Sequence, residues 1–226
     1  MKSLLCVLLF IPLFSFATVS DAKKLYGQKN YKESFKIFEK HAIRGEVISQ
    51  YFMGTFYDFG YYVEQDFEKA LYWYEKSANQ GDEDALFMMG QIYFEPGKFH
   101  DLEKSTNILQ ELSQNGYEKA SYRLFYKTMK GHLTWDGEQD EIDSLMTYYA
   151  FLAAEQGYVE AKPYAAKMVL NVNLEKGIRM LEELTNHEDR AVRRNANYIL
   201  SEVYHSKQYG KYDKWKSAMY YRASFQ

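Results

Sequence analysis

The spacing of glycine and tyrosine constrains this chain more than any other feature. Gly45 and Gly81 lie 36 residues apart, Gly81 and Gly116 lie 35 apart, and Gly54/Gly90 and Tyr57/Tyr93 are each separated by 36. A period of that length marks architectures in which one supersecondary unit cannot bury its apolar face alone and stacks on its neighbours. The unit itself reads as two helices. Its first half carries Met53-Gly54 followed by Tyr57, and glycine inside a helix needs a packing reason because it is costly there. In its second half Phe67, Ala70, Leu71, Tyr74 and Ala78 share one helical face, with Asp66 placed as an N-cap and Gly81 as a stop.

These residues resemble a known family. Ala85, Met89, Gly90 and Tyr93, then Asp101 and the closing Gly116, preceded by Ala70, Trp73, Tyr74, Lys76, Ala78 and Gly81, are similar to the Sel1-like repeat, a relative of the tetratricopeptide repeat. The resemblance is strongest over residues 45–116, with degenerate copies expected at 21–45 and 117–226; at Phe125, Ala166 and Ser201 the expected glycine is replaced. It implies an all-α chain, a right-handed α/α solenoid of stacked antiparallel helix pairs. It also implies a protein that binds other proteins, since the family is known mainly for mediating protein complexes.

Residues 1–17 combine Lys2, an apolar run from Leu4 to Phe16 and the small residues Ser15 and Ala17. That pattern predicts a secretory signal cleaved after Ala17, since the run is shorter than the ~20 residues of a membrane span. The one cysteine, Cys6, lies within it. Residues 18–226, the expected solenoid, therefore have neither disulfides nor thiolate metal ligands and rely on their core. The short Lys-led signal points to the periplasm of a Gram-negative bacterium, with release from the cell as a variant, and to no stable membrane insertion once the signal is removed.

Helices are expected at 21–28, 31–43, 47–59, 66–79, 83–94, 101–114, 118–130, 142–155, 159–169, 174–185, 190–205 and 212–224. Pro163 is tolerable only in a first turn, so an irregular junction is expected near it. Between Gly116 and Gly157 the spacing grows to 41 residues, which places an inserted acidic loop at 131–143. The 28 basic and 31 acidic residues leave no nucleic-acid footprint. Charge is nonetheless uneven: residues 131–160 hold seven acidic side chains and no Lys or Arg, whereas 190–222 hold eight basic ones against Glu202 and Asp213.

No catalytic spacing emerges. His187-Glu188 begins like a zinc-protease helix, but Ala191 stands where the second histidine is required. His41, His100, His132, His187 and His205 read as surface or cap residues. Asp136, Glu138 and Asp140 alternate like the start of a calcium loop, yet Glu141 and Thr147 occupy the positions that need glycine and glutamate. A solvated loop, or one that meets a basic partner, fits better, and no metal or other cofactor is expected. Tyr51, Phe87, Tyr122 and Tyr198 form an aromatic ladder at equivalent positions, read as packing between repeats.

The first reading is accordingly a non-catalytic adaptor for another protein. Its partner face is expected to combine Thr55, Met88, Gln91, Arg123 and Tyr126 on the first helices with Trp135, Asp136, Glu138 and Asp140 of the loop. Trp135 has two readings, an interface anchor or a ring folded back over the scaffold edge. Resemblance supplies two alternatives. Some secreted relatives neutralise antibacterial lipases as immunity proteins. Others, rich in cysteine, have been linked to peptidoglycan or beta-lactams, but the paired cysteines are absent here and no S-x-x-K motif offers a serine for acylation.

Overall fold

The computed structural model describes residues 17–131 and 139–226. Among these residues the chain forms twelve α-helices and two short 3₁₀ turns, with no strand. It divides into two compact units, residues 1–86 and 87–226. Residues 1–16 of the predicted signal and 132–138 of the predicted loop lie outside the described residues.

The first unit contains α1 (Val19–Gly27), α2 (Tyr31–Ala42), α3 (Val47–Phe59), α4 (Phe67–Ala78) and the opening turn of α5 (Glu83–Phe94). Helix α1 begins where a capping box can form: the Thr18 hydroxyl accepts from Asp21 N–H, and Asp21 Oδ2 accepts from Thr18 N–H at 2.9 Å. Asp66 caps α4 as expected, its Oδ1 accepting from Lys69 N–H at 3.0 Å. Gly81 takes the left-handed backbone (φ +89°) that the loop into α5 requires and that a side chain would oppose. Aromatic rings fill the core. Phe38 stacks on Phe52 with centroids 4.4 Å apart, and Tyr26 meets Tyr31, Phe52 and Phe56 edge-on. Much of the high aromatic content is thus spent on packing.

Gly54 has the packing reason its position demands. A methyl group there would lie 2.5 Å from Cδ1 of Tyr74, whose fully buried ring crosses from α4 onto α3. Beyond the ring, Tyr74 Oη donates to Asp58 Oδ2 at 3.2 Å and lies 3.4 Å from Thr55 Oγ1.

The second unit holds the remainder of α5, then α6 (Leu102–Gln114), α7 (Glu118–Met129), α8 (Gln139–Glu155), α9 (Lys162–Val172), α10 (Leu174–Leu184), α11 (Arg190–His205) and α12 (Lys214–Ala223). The irregular junction expected at Pro163 is a 3₁₀ turn, Val159–Ala161, which leaves the proline in the first turn of α9. Leu170, Ile178, Leu181, Leu200, Val203 and Tyr204 form the core shared by α9, α10 and α11.

One joint recurs through both units. Asp66 N–H donates to Tyr57 O, Asp101 N–H to Tyr93 O, and Asp213 N–H to Tyr204 O, each at 2.8 Å, and each aspartate then caps the helix it begins. The contact fixes how the second helix of a pair leaves the first. It also gives a common register for comparing pairs.

Candidate functional site

The face of α7 follows from its sequence. Lys119, Tyr122, Arg123 and Tyr126 fall at i, i+3, i+4 and i+7, so they project along one side of the helix. Phe87 of α5 and Tyr158, just before the 3₁₀ turn, close the ends of this row, and together the six side chains line a cavity of about 360 Å³. Tyr158 stacks on Tyr122 with centroids 4.4 Å apart, which holds the cavity wall rigid. Burial pushes the phenol of Tyr122 well up, with the neighbouring Tyr164, Tyr158 and Glu160 adding to it, and burial likewise raises Tyr158. Both rings are therefore neutral donors and flat apolar walls across the physiological range. At the rim Lys119 Nζ donates to Tyr117 Oη at 3.2 Å. The combination of phenol faces and cationic heads suits a segment carrying an aromatic or apolar side chain beside a carboxylate.

Beneath this face lies a second polar feature that the sequence does not advertise. Lys127, one turn beyond Arg123, is fully buried; its ammonium lies 4.2 Å from the Phe94 ring centroid and 2.6 Å from Ser105 Oγ. Desolvation, assisted by the charge of Arg123 and opposed by Glu95, lowers its pKa to about 7.

The model of the Sel1 repeat family matches residues 47–82 and 83–117. Residues 47–117 carry two Sel1 repeats. A sel1-like repeat-containing protein of Acanthamoeba polyphaga mimivirus is 35% identical over 88 residues, 39% of this chain. An ERAD-associated E3 ubiquitin-protein ligase component of Arabidopsis thaliana is 36% identical over 62 residues, 27% of this chain. The matched segments span 16% and 9% of those two curated relatives. Among solved structures, a Sel1 repeat protein from Oxalobacter formigenes superposes with a TM-score of 0.69 at 18% identity, over 96% of this chain and 91% of that one. A protective antigen of uropathogenic Escherichia coli with the same type of fold gives 0.69 at 19% identity, over 92% and 45%. At such identities the likeness speaks for the fold: an all-α solenoid of stacked antiparallel helix pairs.

The residues expected at a partner face are distributed unevenly. Arg123 and Tyr126 come together on the α7 cavity. Met88 and Gln91 lie half-buried on α5 and are not among its walls; the side-chain amide nitrogen of Gln91 is buried without a hydrogen-bond partner. Thr55 is buried beneath the surface, 6% exposed, with its hydroxyl donating to Tyr51 O at 3.1 Å. It belongs to the Asp58–Tyr74 network and serves packing in the first unit. Trp135, Asp136 and Glu138 lie outside the described residues, and of Asp140 only its place in the first turn of α8 is described.

Three of the four described histidines have local structural partners. His41 Nε2 is 3.1 Å from Ala17 O, His100 Nδ1 is 3.1 Å from Phe94 O, and His187 Nδ1 accepts from Asp189 N–H at 3.0 Å. Among the described residues no three His, Cys, Asp or Glu side chains converge as a metal set, and no helix is long and apolar enough to cross a membrane. Sequence reasoning passed over Lys119 and Tyr158, and favoured packing over binding for Phe87 and Tyr122. The i, i+3, i+4, i+7 row on α7 was the available signal.

Proposed function

We propose that this Sel1-repeat chain is a non-catalytic scaffold exported to the periplasm, where it holds a partner protein at the α7 cavity. The observation that carries the reading is the cavity itself: Tyr122, Tyr126 and Tyr158 around the cationic heads of Lys119 and Arg123. It favours a partner segment that presents a carboxylate next to an aromatic or apolar side chain. A buried anchor in the phenol pocket would contribute most of the affinity, while the charges would govern encounter and register. The acidic loop at 131–143, with Trp135, Asp136, Glu138 and Asp140, is assigned to the same partner as a second contact.

Affinity capture with tagged residues 18–226 from an envelope extract, run in parallel with Arg123→Glu and Tyr126→Ala, tests the reading. One dominant bound protein that both variants lose, while their helical content and unfolding temperature are retained, is the expected result. Capture that is indifferent to both substitutions overturns the cavity as the site. A captured secreted toxin would make the scaffold an immunity protein, and a captured envelope regulator would make it a general adaptor.

A further inference from the structure

The guanidinium of Arg123 has no counterpart in its own surroundings. The residue is half-buried, and among the described residues it makes neither an ion pair nor a hydrogen bond. No carboxylate lines the α7 cavity, whose walls are Phe87, Lys119, Tyr122, Arg123, Tyr126 and Tyr158. Glu118 and Glu160 lie near enough to act on the Tyr158 phenol, but neither is among those walls. Partial burial of a cation is unfavourable without an opposite charge, so an anion that reaches this wall gains a charge-assisted contact and displaces no partner of Arg123.

Size and donor pattern narrow the anion. Lys119 and Arg123 are one turn apart on α7, so both heads can meet a single carboxylate, and the row from Lys119 to Tyr126 rises only about 10 Å. A cavity of about 360 Å³ holds one aromatic ring, for which roughly 150 Å³ suffices, together with a carboxylate and the carbons that join them. That is one residue rather than a stretch of chain. The walls are also poorly matched to a chain that continues. Lysine and arginine only donate, and the phenols of Tyr122, Tyr126 and Tyr158 are the sole acceptors among the lining side chains. A peptide that runs on past its anchor brings a backbone N–H beside those cations, whereas one that ends there brings two acceptor oxygens and a full negative charge.

We infer that the partner enters the α7 cavity by its C terminus, a step that rests on the cavity being the partner site. The last residue of the partner is aromatic or large and apolar; its free α-carboxylate meets Arg123 and Lys119, and its side chain packs on the stacked rings of Tyr122 and Tyr158. Side chain and carboxylate then stem from the same carbon. Ring and cation are engaged together while few rotatable bonds are fixed, which lowers the entropic cost of binding.

Three N-acetylated peptides, titrated into isotope-labelled protein and followed by amide chemical shifts, test the assignment: GSGSGF with a free carboxylate, the same peptide as its C-terminal amide, and GSEFGS as an amide. The free acid should shift the amides of α7 saturably, and its amide should bind at least ~10-fold more weakly because a charge-assisted contact is lost. The internal Glu-Phe peptide should be weaker by a similar factor, although its net charge and its aromatic ring are those of the free acid. Arg123→Gln should weaken the free acid and remove the difference between acid and amide, a change that lost packing alone would not produce. Binding of the internal Glu-Phe peptide as tight as that of the free acid, with both weakened by Arg123→Gln, overturns the terminus and leaves the cavity as the partner site. Absence of α7 shifts with all three peptides overturns the cavity reading as well. Free phenylalanine that binds as tightly as the free-acid peptide, despite the ammonium on the same carbon, makes the occupant a free amino acid and overturns the assignment to a protein end.

Discussion

Lys127 Nζ donates to Ser105 Oγ over 2.6 Å, and Ser105 donates in turn to the backbone oxygen of Gly90, also over 2.6 Å, so that one buried chain of hydrogen bonds ties α7 through α6 to α5. Burial disfavours the ammonium and takes its pKa from 10.5 to about 7. Because the folded pKa is depressed, the stabilising contribution is complete above pH 10.5 and is lost as pH falls through about 7. Stability should therefore rise between pH 6.5 and 9.5, by on the order of a few kcal/mol from this residue. Urea unfolding across that window should show the slope in the parent, and Lys127→Met should flatten it. A slope unchanged by the substitution would remove Lys127 as its source.

Asp58 works in the opposite direction. It is 8% exposed; desolvation raises its pKa from 3.8 to about 6, with the Tyr74 hydrogen bond pulling weakly the other way. A raised carboxyl favours the folded state fully below pH 3.8, and that benefit is lost as pH rises through about 6. Asp58→Asn keeps an oxygen for Tyr74 and removes the buried charge. It should raise the thermal midpoint at pH 7.5, by the equivalent of about 1–3 kcal/mol, and leave it little changed near pH 4. Equal effects at the two pH values would contradict the assignment.

Export makes a prediction at the other end of the chain. Cleavage after Ala17 would leave Thr18 as the first residue, and its backbone nitrogen, an amide in the uncleaved chain, already lies 2.9 Å from Asp21 Oδ2. The new ammonium would then pair with that carboxylate and preserve the cap of α1. Intact-mass measurement on periplasmic protein should return residues 18–226, with an Ala17→Arg variant retained as the longer form. The longer mass in the parent would refute this cleavage site.

What could be read from the sequence depended on whether a physical rule has a local signature. Helix limits are set by residues such as Asp66, Asp101 and Gly81, whose capping and turn roles follow from their own chemistry, and those helices begin and end within a residue or two of expectation. The burial of Thr55 was not legible because helical spacing says which residues share a face but not which flank a neighbour roofs; the Tyr74 ring beside it is admitted by Gly54, 20 residues away in sequence. Lys127 carried no signal, since nothing local distinguishes a solvated lysine from one placed against Phe94. The replaced glycines at Ala166 and Ser201 were visible, but their consequences required the partner helix: the first pair moves its close approach to the other helix, and in the second Ser201 lines a groove between α11 and α12.

That first substitution yields a direct comparison. In α9–α10 the near contact is made by Gly177 of the second helix, where an added Cβ would lie 2.7 Å from Cδ2 of Leu170, 2.8 Å from its backbone nitrogen and 3.0 Å from its Cα. In α3–α4 the Cβ added at Gly54 would meet only the Tyr74 ring. Alanine gains up to ~1 kcal/mol of helix propensity over glycine at either site. Overpacking costs about 1–3 kcal/mol when side chains can shift and more when they cannot. Gly54→Ala should therefore destabilise modestly, and combining it with Tyr74→Leu should cost less than the sum of the single changes, because the ring is the obstacle. Gly177→Ala should cost more, and Leu170→Ala should not rescue it, since removing the Leu170 Cδ2 contact leaves the backbone nitrogen and Cα in the way. Thermal unfolding of the six variants decides the point: additivity in the first pair, or rescue in the second, would show that the close approaches are not what these glycines secure.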